Sequence, residues 1–155
     1  MNITLIAIGK RMPNWVETGY QEYAKRLTQD ITLQLIEIPM EHRPKNADYQ
    51  KLAHKEGEHM LAAIPPGDKI IALTERGQLH DTQAFTQKLQ TYRDATENLS
   101  FLIGGPEGLS PTCLASAHQQ WSLSKLTFPH PLVRVIMAEQ LYRAFSILNH
   151  HPYHR

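Results

Sequence analysis

A chain of 155 residues, 41 % apolar and 20 % charged, is long enough to bury a real core and short for two domains, and its composition excludes global disorder. The formal net charge of +1 is too small to argue for nucleic acid by itself, and the single Cys113 excludes an internal disulfide and a cysteine-based zinc pattern. No charged amino-terminal region precedes an apolar core and no apolar run approaches about eighteen residues, so neither signal peptide nor membrane span is expected and the cytoplasm is the expected location.

Ile3 to Ile8 is a short aliphatic run suited to a buried strand. Asn14-Trp15-Val16-Glu17 then opens a helix to about Leu27, with Asn14 as the cap and an acid three residues on. Ile31 to Ile38 predicts a second strand stopped by Pro39, and Glu41-His42-Arg43-Pro44-Lys45 a polar, basic, mobile loop. Asp48 to Ala63 reads as a helix whose one side carries Tyr49, Leu52, Ala53, Met60 and Leu61. After the turn Pro65-Pro66-Gly67-Asp68 come a third strand, Lys69 to Leu73, and a loop, Thr74 to Asp81, that contains Gly77. Thr82 to Arg93 is helical and Leu99 to Ile103 a fourth strand. Pro111 to His118 is a short helix capped by Ser110, Trp121 to Leu123 a brief fifth strand, and about Leu132 to Leu148 the final helix.

Strands separated by helices predict an α/β fold with a mainly parallel sheet and helices on both faces, as one domain without repeats or linkers. In such sheets ligands lie outside the carboxyl ends of the strands, which here means the loops after Leu73, Ile103 and Leu123. The first strand ends in Gly9-Lys10-Arg11-Met12-Pro13, which is not a dinucleotide fingerprint, and neither a phosphate-binding P-loop nor a hydrolase elbow occurs.

Gly104, Gly105 and Gly108 directly follow the fourth strand, where they make either a tight turn or a cradle that lets backbone approach a ligand. His54 and His59 fall on different helix faces, and His150, His151 and His154 suit a surface or RNA contact better than a metal site, so no metal is expected. From Leu109 onward Lys125, Arg134, Arg143 and Arg155 face Glu139 alone, which makes the end of the chain locally basic. Val133, Ile136, Met137, Gln140, Leu141, Ala144, Phe145 and Leu148 form a broad apolar face for the core, or for a subunit interface where exposed. Glu139 and Arg143, four apart, are either a surface ion pair or an acid and a guanidinium at a pocket rim.

The stretches LIGGPEGLSP, WSLSKLTFPHPLVRVIMAEQLYRAFSI and NHHPYHR, together with GKRMPNWVETGYQEYAKR, LIEIP and KNAD near the start, resemble the ribosomal RNA large subunit methyltransferase H family over nearly the whole chain. The resemblance implies a SPOUT-type α/β fold with a deep trefoil knot near the carboxyl terminus, acting as a homodimer. It implies methyl transfer from S-adenosylmethionine to ring nitrogen 3 of a pseudouridine, position 1915 of 23S rRNA, in assembled 70S ribosomes. By position, the cofactor pocket would comprise Leu73, Gly104, Leu123, Ser124, Lys125, Leu126, Thr127 and Phe128, while Thr74 and Glu75 receive no role.

A sulfonium donor already carries an activated methyl group, so such an enzyme needs alignment and water exclusion rather than a nucleophile or metal. The proton on the acceptor nitrogen must leave, and Glu139 is the expected base, with Arg143 beside it. His130, Arg134, Arg143, Tyr153, His154 and Arg155 are the expected RNA contacts, Tyr153 by stacking and the arginines by gripping phosphate. Two other readings stay open from the residues: a binding module that has lost catalysis, and an enzyme of this fold acting on tRNA or another base.

Overall fold

The computed structural model describes residues 1–27 and 31–155. Its strands are β1 (Asn2–Ile8), β2 (Thr32–Ile38), β3 (Lys69–Leu79), β4 (Leu99–Ile103) and β5 (Gln119–Ser122). The helices are α1 (Asn14–Ala24), α2 (Tyr49–Ala62), α3 (Thr82–Asp94), α4 (Pro111–Ser116) and α5 (His130–Leu148). All five strands join one sheet in the order β2-β1-β4-β3-β5, and every pairing is parallel.

Two of the three interior strands, β1 and β4, are buried on both faces, which is why they are near-continuous apolar runs. Their side chains alternate between two cores. Ile3, Leu5, Ala7, Leu99, Phe101 and Ile103 pack with Met137, Leu141 and Phe145 of α5 and with Tyr20 and Leu89 of α1 and α3. Ile6, Ile8 and Leu102 pack on the other side with Met60 of α2 and Cys113 of α4. Helices therefore cover both faces, as the alternating pattern requires.

Several boundaries differ from the sequence expectation for local reasons. Asn14 does not cap α1; it is the first helical residue, because Pro13 sits at the cap and its carbonyl accepts the Val16 and Glu17 amides at 2.9 and 3.3 Å. Asp48 does cap α2, its Oδ1 accepting the Gln50 and Lys51 amides at 3.1 and 3.3 Å. The buried side of α2 is Glu56, Gly57 and Met60, while Tyr49, expected on that side, is 45 % exposed at the first turn. Ser110 caps α4 as expected, its Oγ accepting the Cys113 amide at 3.2 Å, with Pro111 opening the helix.

The largest difference is β3, which runs on to Leu79 instead of ending at Leu73. Both Leu73 and Gln78 pair with Trp121 of β5, so Thr74 to Gly77 form a bulge, within the polar stretch Thr74 to Asp81 expected to be a loop. The bulge turns Thr74, Glu75 and Arg76 toward the carboxyl end of the sheet. Gly77 permits it: a Cβ there would lie 2.5 Å from the Trp121 carbonyl carbon and 2.7 Å from its amide nitrogen, backbone that no rotamer change can move. Gly77→Ala is expected to lower stability by about 1–3 kcal/mol or more, read from the denaturant midpoint. An unchanged midpoint would mean that β5 shifts away at no cost.

Candidate functional site

Three loops meet at the carboxyl ends of β3, β4 and β5 and enclose a cavity of about 720 Å³. Its walls are the β3 bulge, the glycine turn Gly104–Leu109, the loop from Ser122 to Pro129, and the first turn of α5 with His130 and Val133. The volume lies within the range of small-molecule and cofactor sites.

Each wall has a local cause. In the glycine turn the backbone folds back on itself, so a Cβ on Gly104 would meet the Gly108 carbonyl carbon at 2.6 Å and the Leu109 nitrogen at 2.7 Å. Backbone rather than side chain therefore forms this wall. The loop after β5 is shaped by its own serines: the Ser122 hydroxyl donates to the Ser124 carbonyl at 2.8 Å, and Ser124 Oγ accepts the Leu126 amide at 2.9 Å. That turn leaves Leu126 72 % exposed beside the cavity, an apolar side chain for a ligand to cover.

Of the residues expected to hold a cofactor, Leu73, Gly104, Leu123, Ser124, Leu126, Thr127 and Phe128 all line the cavity. Lys125 belongs to the same loop but is exposed and does not line it. His130 does line it, half-buried; burial pushes its imidazole below the usual value, with Arg134 and Arg43 adding to the effect and Glu107 opposing it. The ring is thus neutral at pH 7, a hydrogen-bonding group rather than a cation.

Glu139 and Arg143 do not line the cavity. They lie on α5 about 13 Å or more along the helix axis from His130, given nine or more residues at the usual rise. There they form a second cluster with the end of the chain. Glu139 Oε1 accepts from Arg143 Nε at 2.9 Å, from Arg143 Nη2 at 2.6 Å and from the Tyr153 hydroxyl at 3.0 Å, and Oε2 accepts from Gln140 Nε2 at 2.6 Å. The Arg143 guanidinium sits over the Tyr153 ring, 4.9 Å from its centroid, and lies 2.9 Å from His154 Nδ1. Burial, with the Glu139 hydrogen bond, pushes the Tyr153 phenol up to about 12, so it is a donor at any ordinary pH. Tyr142 lies against Tyr153, ring centroids 4.6 Å apart, and Arg26 lies over Tyr142. Arg155 is exposed beyond them.

Arg134, expected at the RNA-facing rim, is instead 1 % exposed. Its Nη1 pairs with Glu37 of β2 at 2.6 Å, and its Nη2 donates to the Ile8 and Gly9 carbonyls at 3.1 and 2.8 Å. No phosphate can reach a guanidinium so enclosed. The signal was present in the pattern: Arg134 stands three residues before Met137, four before Ala138 and seven before Leu141, on the stripe that is buried.

The loop Glu41 to Lys45, expected to be mobile, is anchored by Arg43, whose guanidinium bonds carboxylates of Glu56 and Glu107. Glu107 belongs to the glycine turn and lines the cavity. The Arg43 hydrogen bond holds the Glu107 carboxyl below the usual carboxylate range. Glu56 offered a clue, since a carboxylate four residues before the buried Met60 on one helix face requires a cation. Thr74, Glu75 and Arg76 also line the cavity, in the segment after Leu73 expected at the ligand edge, although the family resemblance gives Thr74 and Glu75 no role.

Among the described residues no group of three or more His, Cys, Asp or Glu is placed to hold a metal ion, and no helix is long and apolar enough to cross a membrane.

Comparison with known proteins agrees over the whole length. A family model described as "Predicted SPOUT methyltransferase" matches residues 1–154. Proteins named ribosomal RNA large subunit methyltransferase H from Marinomonas sp. (strain MWYL1) and Hahella chejuensis (strain KCTC 2396) are each 54 % identical over 155 residues, covering 100 % of this chain and 100 % and 99 % of their own. The solved structure of a probable methylase family protein from Haemophilus influenzae Rd KW20 superposes with a TM-score of 0.57 at 14 % identity, over 99 % of this chain and 70 % of that one, a likeness of fold.

Arg134→Met keeps much of the volume but removes every donor to β1 and Glu37, and is expected to cost about 2–4 kcal/mol in chemical denaturation. A phosphate-gripping role would instead weaken RNA binding and leave the denaturation midpoint unmoved.

Proposed function

The chain belongs to the SPOUT methyltransferase family and, within it, with the ribosomal RNA large subunit methyltransferase H proteins, and from that premise we propose that it methylates large-subunit ribosomal RNA with S-adenosylmethionine as donor. The observation that carries this reading is the cavity: seven of the eight residues that family resemblance assigns to the donor line one space at the carboxyl edge of the sheet. The finer assignment that the sequence resemblance implies, and that belongs to the same proposal, is ring nitrogen 3 of the pseudouridine at position 1915 of 23S rRNA, on assembled 70S ribosomes, in the cytoplasm.

The cavity suits the donor chemically. A wall of bare backbone at Gly104 admits close approach of a polar ligand, and Leu126 offers an apolar surface to a flat ring. The donor supplies an activated methyl group on a sulfonium sulfur, so no protein nucleophile is required. The protein's own residues bind and orient: Ser124 shapes the loop, Leu73, Leu123, Thr127 and Phe128 line it, and neutral His130 stands at its rim on the first turn of α5.

The RNA side of the reading rests on the second cluster. Tyr153 and His154, with Arg143 between them, join a planar ring, an imidazole and a cation on one surface, the set that grips phosphate and stacks a base. A base whose ring nitrogen is to be modified must be unpaired or flipped from its stack. Glu139 takes the proton from that nitrogen, and the hydrogen bonds from Arg143 and Tyr153 orient its carboxylate. Because this cluster lies well along α5 from the cavity, a homodimer in which the cluster of one subunit serves the cavity of another completes the site. The threaded carboxyl-terminal knot of the family belongs to the same reading; the path from β5, an edge strand, back to α5 over β1 is consistent with it.

The test is to incubate the purified protein and labelled S-adenosylmethionine with 70S ribosomes, free rRNA and tRNA, and to map the product. Label at a pseudouridine ring nitrogen of 23S rRNA in ribosomes is the expected result; label in tRNA alone, or none, sinks the reading.

Glu139→Gln is expected to slow transfer by about 10²-fold or more while donor affinity holds. Turnover equal to wild type at every pH removes Glu139 from the reaction. Deletion of Pro152 to Arg155 is expected to abolish methylation and spare donor binding in calorimetry, and full activity of the shortened protein would contradict the role of the tail.

A further inference from the structure

The glycine turn that walls the cavity has a single charged side chain, Glu107, and that side chain is held from outside the turn. Arg43, in the connection between β2 and α2, donates from Nε to Glu107 Oε1 at 3.1 Å and from Nη2 to Glu107 Oε2 at 2.7 Å, a two-point fork. The same guanidinium donates from Nη1 and Nη2 to the two oxygens of Glu56 on α2, both at 2.9 Å, and from Nη1 to the Glu41 carbonyl at 2.9 Å. Glu56 Oε2 also accepts the Glu41 amide at 2.7 Å, which closes the loop onto the helix.

One guanidinium requires one carboxylate, and Glu56, whose side chain is 3 % exposed, already supplies it. The second carboxylate is not needed to neutralise Arg43. What it does is fasten the glycine-rich turn, whose own restraints are Pro106 and the Gly108 amide bond to the Gly105 carbonyl at 3.0 Å, to a helix. We propose that Arg43 is a positioning residue for the methyl donor: acting through Glu107, it holds the Gly104–Leu109 turn in the shape that forms one wall of the cavity. The role lies in preorganisation, since a turn already in its bound shape spares the ligand the cost of ordering it. This inference rests on the reading of the cavity as the donor site.

Removing Arg43 alone would strand the buried Glu56 carboxylate and risk unfolding, so the test is made in a Glu56→Gln background, where no buried anion is left behind. Affinity for S-adenosylmethionine is measured by calorimetry. Adding Arg43→Gln to that background is expected to weaken binding about tenfold, and Arg43→Lys to restore part of the loss. Glu107→Gln should weaken binding by a similar factor, and the combination with Arg43→Gln should weaken it no further, because the two act as one unit. In turnover the same variants should raise KM for the donor and leave kcat nearly unchanged. Affinity within about twofold of the background, or losses that add, would overturn the clamp. Failure of the wild-type protein to bind S-adenosylmethionine would overturn the donor-site reading and the clamp together, whereas wild-type binding with unchanged variants overturns the clamp alone.

Discussion

A guanidinium with 1 % exposure must find its partners inside the protein, and the seat of α5 is built around the two terminal nitrogens of Arg134, while its Nε is buried without a hydrogen-bond partner among the described residues. It ties the final helix to the carboxyl end of β1 through the Ile8 and Gly9 carbonyls and to β2 through Glu37. Charge-assisted bonds of this kind have strict geometry, which an apolar contact alone lacks. Apolar packing from Met137, Leu141 and Phe145 supplies the bulk of the attraction, while Arg134 selects one register of the helix on the sheet. Two features of the carboxyl edge follow from that register. The first turn of α5 becomes a wall of the cavity, and Glu139, Arg143 and the chain end are carried to a separate place.

The division between cavity and cluster matches the demands of the chemistry. A donor that carries an activated methyl group asks for a shaped space, and the bulge in β3, the glycine turn and the serine-shaped loop make one with backbone as one of its walls. Arg143, Tyr153 and His154 form a half-buried cluster of a cation and two rings, the chemistry that the proposed RNA acceptor asks for. Glu139 is bound into the second group by four hydrogen bonds, so it is preorganised rather than free.

Legibility in the sequence varied with how local the cause was. β4 has the expected ends because it is a run of apolar residues buried on both faces and stopped by Gly104. The Ser110 cap with Pro111 behind it is likewise set by neighbours in sequence. The loops after Leu73, Ile103 and Leu123 were identifiable as the ligand edge, since a parallel sheet places its ligands there. The extension of β3 was not readable: its residues are polar, and only the approach of Trp121 against Gly77 makes them strand. The roles of Arg43 and Arg134 were not readable either, because a charged side chain is exposed by default and only distant partners reverse that.

The sequence by itself determined the alternation of strands and helices, the apolar stripes and most helix starts, because each is decided by interactions within a few residues along the chain. It also placed most residues that line the cavity on loops at one edge of the sheet. Only the tertiary structure decided which charges are buried and which wall each loop becomes. The Arg43 bonds to Glu107 join residues 64 apart, and the Arg134 bond to Glu37 joins residues 97 apart. No pattern within a window of sequence records a partner at that distance; only the folded sheet brings it within hydrogen-bond reach.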